Sequence, residues 1–425
     1  MTALEDPIAI GGCLIRNRLY RAPVLEGAGD GPDAPEIYAE AFGANARSGV
    51  GLIIQGNSCV YPEGRSSAGM TLVDTREHAL RLRPVTDAVH HGGGRIFLQV
   101  GHAGIYALEA WHSGFAARRA APVLAVSKPR VHIKAALRGV PLNVLSTKEV
   151  YDFATATGRS AAWAREAGYD GVQIASSNAK FVHQFLSPYY NRRHDEFGGS
   201  LRNRARILEV IASRVHREAG DDFPLTVKIP MGEDAPPLAP HTTVDEGLEL
   251  CRMAEAFGYD AITPVGLSVF PHASLARGAY PGEMLDVRSI RTRFEDALGG
   301  SRLKMAILRW GYKRAAKAYP FAPVWNRPFF TAAKEVVSIP VFAVGGIRSR
   351  TECDAILGAD EADMVGIGRP FYAEPDLAER LLEDGDAHAL CESSNRCVPA
   401  QQLGMKARCY NPRVAAMRKE LEHRP

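Results

Sequence analysis

The amino-acid sequence predicts an α/β fold, a (β/α)8 barrel of the TIM type. Eight short segments rich in Val, Ile, Leu and Phe alternate along the chain with longer stretches of helical periodicity. Most of these segments are continuous apolar runs, which is typical of parallel strands buried on both faces. Eight βα units in 425 residues match a barrel with insertions. A doubly wound sheet is the alternative.

The candidate strands are bounded by turn-forming residues. They are residues 18–24, 50–56, 95–101, 169–175, 224–230, 259–265, 340–346 and 362–368. The clearest helix covers residues 147–168. It has Ser146 as N-cap, Glu149 to complete a capping box and Gly168 to end it.

Composition narrows the class of protein. A chain that is 46% hydrophobic can bury the core of one large domain, so we expect a single domain over residues 1–425. The formal charge of +3 gives no argument for binding nucleic acid or a membrane surface. No apolar run approaches the roughly 18 residues that span a bilayer, and the N-terminus does not resemble a signal peptide. With seven cysteines, an odd number, the sequence predicts a cytoplasmic protein.

Residues 283–325 interrupt the repeat after the sixth strand as an insertion. Leu303, Ile307 and Trp310 recur there at near-helical spacing among Lys and Arg residues, which predicts a basic amphipathic helix. A solvated helix at the barrel's edge is the simplest interpretation. The alternatives are a wall over an anionic or CoA-linked substrate, or a subunit contact in a homo-oligomer.

In a barrel the functional residues lie in the loops that follow the strands. The residues at these positions are Ala22, Pro23, Val24, Gln55, Gln99, His102, Asn178, Lys180, Lys228, Gly345, Gly346, Gly368 and Arg369. The turns "VGGIRSR" and "GIGRPF" follow the last two strands, where barrels commonly bind phosphate. We therefore expect backbone N–H groups and one guanidinium to meet a phosphate there.

Several longer motifs carry a family resemblance. They include "FLQVGHAG", "QFLSPYYNRRHDEFGGSLRNRARILEVI", "IPVFAVGGIRS" and "ADMVGIGRPFYAEPDLAERL". With these motifs the chain resembles the old yellow enzyme family of FMN-dependent oxidoreductases, particularly the branch of 2,4-dienoyl-CoA reductase and trimethylamine dehydrogenase. The resemblance covers nearly the whole chain apart from residues 283–325.

This resemblance implies an FMN site. Gln99 is expected at the flavin pyrimidine edge, with Gln55 as a second contact. Lys228 falls where relatives usually have an arginine beside flavin N1, so it keeps the charge but not the planar fork. Backbone groups of Gly346, Gly368 and Arg369 are expected at the phosphate. The other implied contacts are Ala22, Pro23, Val24 and Gly345.

The substrate side departs from the family pattern. Relatives usually have two donors for a substrate carbonyl, His and His or Asn, followed by a tyrosine that protonates carbon. The corresponding residues here are Ala175, Asn178 and Lys180. Three interpretations of Lys180 are open: a general acid, a point charge that binds a carboxylate or phosphate, and a solvent-exposed rim residue.

Other side chains are candidates for the acid. His102 is the candidate that we place beside Lys180 and Asn178 as catalytic. Tyr106, His183 and His272 are further alternatives, and each is also explained by a structural role.

Residues 388–425 form a C-terminal extension. Cys391, Cys397 and Cys409 approach the spacing with which larger relatives ligate a [4Fe–4S] cluster, but Ser394 replaces one cysteine. Four thiolates are the usual ligand set. We therefore interpret the segment as a remnant without an iron–sulfur cluster. A three-cysteine metal site and a redox role are the alternatives.

The resemblance implies an FMN-dependent oxidoreductase that transfers hydride between flavin N5 and a small organic substrate. NAD(P)H-dependent reduction of an activated C=C bond is the leading prediction. A flavin-dependent dehydrogenase or demethylase of an amine or C–H substrate is the alternative. A catalytically degenerate flavin-binding barrel is the third hypothesis.

Overall fold

The computed structural model describes residues 2–29, 31–271 and 274–422. The strands it assigns are β1 (Ile8–Ile10), β2 (Cys13–Ile15), β3 (Leu19–Arg21), β4 (Leu52–Cys59), β5 (Arg95–Gly101), β6 (Val123–Ala125), β7 (Leu142–Val144), β8 (Gly171–Ile174), β9 (Leu225–Asp234), β10 (Ala261–Ser268), β11 (Phe342–Val344) and β12 (Met364–Ile367). Short 3-10 helices cover Pro62–Gly64, Gly104–Tyr106 and Arg369–Tyr372.

The α-helices surround the strands and also form the insertion and the extension. They are α1 (Ala34–Arg47), α2 (Arg76–Leu80), α3 (Arg83–His91), α4 (Leu108–Trp111), α5 (Ser113–Ala117), α6 (Val131–Ala136), α7 (Thr147–Glu166), α8 (Phe181–Leu186), α9 (Leu201–Ala219), α10 (Val244–Ala256), α11 (Gly282–Asp286), α12 (Arg288–Ala297), α13 (Arg302–Ala318), α14 (Arg327–Lys334), α15 (Arg350–Gly358), α16 (Leu377–Glu383), α17 (Cys397–Gln402) and α18 (Pro412–Glu422).

Eight parallel strands form the barrel in the order β10-β9-β8-β5-β4-β3-β12-β11. Each lies mainly within one of the eight predicted segments, so the predicted fold class is confirmed. The two ends of the sheet meet at a parallel bridge between Ile262 and Val341. There the Ile262 N–H donates to the Pro340 carbonyl at 3.0 Å. The ring of strands is therefore nearly closed.

Apolar side chains fill the end of the barrel where the strands begin. Tyr20, Phe97 and Phe342 pack there with Ile10 and Ile15 of the β1–β2 hairpin. A second, larger apolar core lies between the strands and the surrounding helices. The amino-terminal end of the barrel is thus filled, which leaves the carboxyl end for a site.

Helix α7 forms as the sequence predicts. Ser146 accepts from the Glu149 N–H, and the Glu149 carboxylate accepts from the Ser146 N–H at 2.7 Å, a complete capping box. The chain leaves the helix through Gly168, whose φ of 93° favours glycine.

The insertion and the extension share a small core of their own. Apolar residues of α11, α12 and α13 pack there against Ala400 and Leu403 of the extension. Helix α13 confirms the predicted basic helix. Its outer face leaves Leu303, Ile307 and Trp310 exposed by 71, 56 and 60%. Among the described helices, none has the length and apolar character that a membrane crossing requires.

A buried ion pair fixes the loop after β3. Arg21 donates two hydrogen bonds to the Glu26 carboxylate, at 2.6 and 3.0 Å. The two side chains are only 2 and 5% exposed. The guanidinium also lies 4.7 Å from the Phe42 ring centroid. Because burial removes water from both charges, each depends on the other.

We expect Glu26→Gln to lower the free energy of unfolding by about 3 kcal/mol, because it leaves the Arg21 charge buried without a partner. Urea denaturation followed by circular dichroism measures this. The matched control is Asp152→Asn, which breaks the exposed pair with Lys148 and should change the value by less than about 0.5 kcal/mol. Equal losses in the two variants would contradict the importance of burial.

Candidate functional site

A cavity of about 260 Å³ opens at the carboxyl end of the barrel. It is lined by residues that follow most of the barrel strands. The predicted flavin contacts among them are Ala22, Pro23, Val24, Gln99, Lys228, Gly345, Gly346, Gly368 and Arg369. Asn178 and Lys180 line the same cavity. Closure of the barrel therefore brings together most of the residues that the sequence analysis selected.

The amide of Gln99 is held by neighbours inside the barrel. Its Nε2 donates to Gln173 Oε1 at 2.8 Å, and Gln173 Nε2 donates in turn to Thr263 Oγ1 at 3.3 Å. In this arrangement the Gln99 carbonyl oxygen is the part of the amide left to accept from a ligand N–H. A flavin pyrimidine edge presents such a donor.

Lys228 brings an unpaired positive charge to the cavity. It lies on β9, and burial lowers the pKa of its ammonium to about 8. Within the described ranges its side chain has no hydrogen-bond or ion-pair partner. A half-buried cation without a counter-ion is unfavourable until an anionic or strongly accepting ligand reaches it. The Lys228 ammonium is therefore suited to stabilise a negative charge that develops on a bound ligand.

The glycine turns after β11 and β12 also line the cavity. Gly345 and Gly346 have φ values of 120° and 86°, which side-chain-bearing residues rarely adopt. A Cβ at Gly346 would also lie 2.6 Å from the Ala322 carbonyl oxygen. Both the conformation and the close approach therefore require glycine here.

Two arginines accompany these turns, and the sequence analysis selected only one of them. Arg348 hydrogen-bonds the Ser393 hydroxyl, and Arg369 lies 3.5 Å from the same oxygen. Arg369 also donates to the Arg277 carbonyl at 2.8 Å. Arg348 lines the cavity as well. The signal for it was the "GGIR" motif itself, since a guanidinium three residues after the first glycine remains near the turn.

The loop after β8 is held in a rare backbone conformation. Asn178 and Ala179 both have positive φ values, 55° and 53°. Such strain persists only where the surroundings impose it. The Ala179 N–H donates to His183 Nδ1 at 2.9 Å, while His183 Nε2 lies 2.7 Å from the buried Glu233 carboxylate. This network positions the next residue, Lys180.

Lys180 is the N-cap residue of α8, and its side chain lines the cavity. Its side chain is only 9% exposed, and Nζ donates to Ser66 Oγ at 2.5 Å. Burial lowers the pKa of the ammonium to about 8. In the part of the chain that the structure describes, no carboxylate pairs with it. The interpretation of Lys180 as a solvent-exposed rim residue is therefore wrong.

His102 does not reach the cavity, so the structure does not support its assignment as a catalytic residue. Its ring packs against Tyr61, Phe153 and Phe181. Nδ1 accepts from the Gly104 N–H at 2.8 Å. Burial, with the nearby Lys180 charge, lowers the pKa of His102 to about 3. The imidazole is thus neutral and serves packing.

The other candidate acids have structural partners. Tyr106 hydrogen-bonds Tyr190 at 3.0 Å between their hydroxyl oxygens. His183 is committed to Glu233, as described above. His272 lies outside the described residues.

Gln55 is not among the residues that line the cavity, contrary to its predicted flavin contact. Gln55 pairs in register with Leu98, and the alternation of side chains along a strand places it on the face of β4 opposite to Ile54, which packs inside the barrel. The register shifts only after Gln55, at a bulge before Ser58. Gln55 consequently accepts a hydrogen bond from the Tyr169 hydroxyl at 2.6 Å. The bulge instead brings Asn57 to the cavity wall.

Asn57 is a site residue that the sequence analysis missed. It is buried, and neither its amide nitrogen nor its amide oxygen has a partner in the described ranges. A Cβ at Gly101 would lie 2.9 Å from the Asn57 amide oxygen and 2.8 Å from Ala175 Cβ. The Asn57 amide therefore occupies the neighbourhood of Ala175. The polar residues Gln55, Asn57 and Ser58 that follow the apolar start of β4 were the available signal.

The three cysteines of the extension line one small cavity together with Ser394. Burial raises the pKa of the Cys397 thiol to about 11, so this thiol stays protonated. Across the described ranges, no group of three or more His, Cys, Asp or Glu side chains is arranged to hold a metal ion. The interpretation of the segment as a remnant stays a prediction.

Comparison with known proteins gives consistent matches. The chain is 28% identical over 413 residues to the 4,4'-dithiodibutanoate disulfide reductase of Rhodococcus erythropolis, covering 95% of this chain and 94% of that one. It is 26% identical over 413 residues to the cinnamate reductase of Clostridium sporogenes, covering 90% of this chain. It spans about half the length of the cinnamate reductase and of other relatives it matches.

The solved structure of the old yellow enzyme homologue from Zymomonas mobilis has the same fold. Its TM-score is 0.67 at 20% identity, over 97% of this chain and 98% of that one. The family profile described as NADH:flavin oxidoreductase / NADH oxidase matches residues 3–262 and 285–386. The chain belongs to this family of flavin oxidoreductases.

Proposed function

We propose that this protein binds FMN and uses NAD(P)H to reduce an activated C=C bond in a small organic molecule. The observation that carries the proposal is one cavity that joins the Gln99 amide and the unpaired Lys228 ammonium to the glycine turns. An amide acceptor, a cation and a phosphate cradle are what an isoalloxazine with a phosphorylated side chain requires.

The residues present fit FMN at both of its ends. Gln99 and Lys228 would hold the pyrimidine edge, and Gly346, Gly368 and the two arginines Arg348 and Arg369 would hold the phosphate. When bound, FMN would relay a hydride, two electrons and a proton, from NAD(P)H to one alkene carbon, and the other carbon would take up a proton from solvent. The protein's residues would orient and polarise the acceptor, and its cations would compensate the negative charges of the cofactor.

The names of relatives support a reductase that acts on an activated alkene. Cinnamate reductase is such an enzyme by its name, and it aligns with 90% of this chain. Similarity of 26% does not by itself transfer a substrate. It supports the type of reaction rather than the particular acceptor.

Asn57 and Asn178 are our candidates for the groups that polarise the acceptor. Asn178 lines the cavity from the strained loop, and the unpartnered amide of Asn57 lies beside Ala175, where relatives have a donor. Removing one donor of this kind typically costs about 3 kcal/mol in the transition state. A second amide near Ala175 would offset that loss.

Purified protein reconstituted with FMN should show flavin absorbance near 450 nm and lose it on anaerobic mixing with NADH or NADPH. Addition of an activated alkene should then restore the absorbance, with one alkene saturated per NAD(P)H oxidised. A preparation that cannot be reconstituted with FMN would refute the proposal. Flavin that is reduced by an amine but not by NAD(P)H would point to a dehydrogenase instead.

We expect Lys228→Met to make the flavin reduction potential about 30 to 60 mV more negative, because the anionic reduced flavin loses a charge-assisted hydrogen bond. Spectroelectrochemical titration measures the potential directly. Lys228→Arg restores the cation and should return most of the shift. An unchanged potential in Lys228→Met would place the ammonium away from the flavin.

A further inference from the structure

We infer that the acceptor carries a carboxylate next to the reduced C=C bond, and that Lys180 binds this carboxylate together with Ser66. The inference rests on the proposed function and specifies its substrate class. It also chooses between the two remaining roles of Lys180, since it assigns a binding role and leaves protonation to another source.

The first support is the uncompensated charge. Lys180 is 9% exposed, faces the cavity and, among the described residues, has only the Ser66 hydroxyl as a hydrogen-bond partner of its ammonium. A hydroxyl solvates an ammonium but does not neutralise it. A buried cation is stabilised chiefly by a paired anion. Because the chain itself supplies none at this point, the ligand is the natural source.

Cys59 and His102, the two titratable groups that interact electrostatically with Lys180, are neutral, so they do not compete for this role. The Cys59 thiol faces Lys180, and burial raises its pKa to about 12. His102 lies behind the same loop, with a pKa lowered to about 3 by burial. Lys180 therefore carries the positive charge that a ligand carboxylate would bind at this point of the cavity.

The second support is the position of Lys180 in the barrel. In the strand order, β8 lies opposite β12, with three strands between them in either direction around the ring. The glycine turns that suit a phosphate follow β11 and β12, whereas Lys180 follows β8. The FMN phosphate would thus bind at one side of the cavity and leave the Lys180 charge on the opposite side unpaired.

The third support is the hydroxyl of Ser66. Its oxygen accepts from Lys180, so its hydrogen is available to a second partner. The nearest recorded acceptor is the Met70 sulfur at 3.7 Å, a weak one. Lys180 Nζ and Ser66 Oγ can therefore donate together to the two oxygens of one carboxylate.

Backbone hydrogen bonds fix the loop that carries Lys180 before any ligand binds. The Lys180 N–H donates to the Ser177 carbonyl at 3.1 Å, and the Gln184 N–H donates to the Lys180 carbonyl at 2.9 Å. Ser67, beside Ser66, donates to the Gln401 carbonyl at 2.7 Å. Both donors are thus attached to fixed backbone, which reduces the entropy lost on binding.

The experiment compares crotonate and cinnamate with their primary amides, which have nearly the same shape without the charge. Holoenzyme with bound FMN should prefer at least one acid over its amide by roughly 30-fold or more in kcat/KM. Lys180→Met should bring that ratio close to one, mainly through KM. Lys180→Arg should keep most of the preference, and Ser66→Ala should lower it by roughly 5-fold.

Binding without turnover gives a second readout. Titration of the oxidised holoenzyme with the acids, followed by flavin absorbance, should give a dissociation constant that is lowest below pH 8. The constant should rise roughly tenfold per pH unit above the Lys180 pKa, since the lysine loses its charge there while the carboxylate stays ionised. Binding of the amides should not depend on pH in this range.

The outcomes separate the two proposals. Reduction of the amides or of 2-cyclohexenone without reduction of either acid would overturn the inference and leave the proposed function standing. An acid preference that persists in Lys180→Met would do the same. If no acceptor reoxidises the reduced flavin, both proposals fail. FMN content should be unchanged in Lys180→Met, and loss of FMN there would assign the lysine to the cofactor.

Discussion

The hydrogen bond from Ile262 to the Pro340 carbonyl joins the two ends of the sheet, and the whole site depends on that closure. Only a closed ring of parallel strands places eight carboxyl ends around one opening. The amino-terminal end is filled by aromatic side chains and by the β1–β2 hairpin. The site is therefore confined to the opening at the carboxyl end of the barrel. Lys180 and Lys228 bring positive charges there, and among the described residues no carboxylate pairs with either of them.

Much of this arrangement could be predicted from the sequence because it is encoded locally. Apolar runs between turn residues identified all eight barrel strands, and the Ser146 capping box identified α7. Glycines at the ends of β11 and β12 follow from a backbone conformation that other residues avoid. Once the barrel is accepted, the ends of its strands indicate the site residues directly.

The errors have a common physical origin in tertiary structure. Gln55 bonds Tyr169 on the outer face of β4, and the bulge that follows it brings Asn57 to the cavity. No local pattern predicts such a register shift. His102 follows its strand as a catalytic residue would, but aromatic rings enclose it. The burial of Lys180 depends on Ser66, which is 114 residues earlier in the chain.

The Ser393 hydroxyl, shared by Arg348 and Arg369, links the barrel to the C-terminal extension. Asn395 also bonds Arg369, so two residues near the end of the chain complete a cradle begun by the glycine turns. Domains fold during synthesis from the N-terminus onward. The segment through Asn395 must therefore be synthesised before this cradle is complete. Binding of a phosphate by this cradle would accordingly depend on the extension as well as on the barrel.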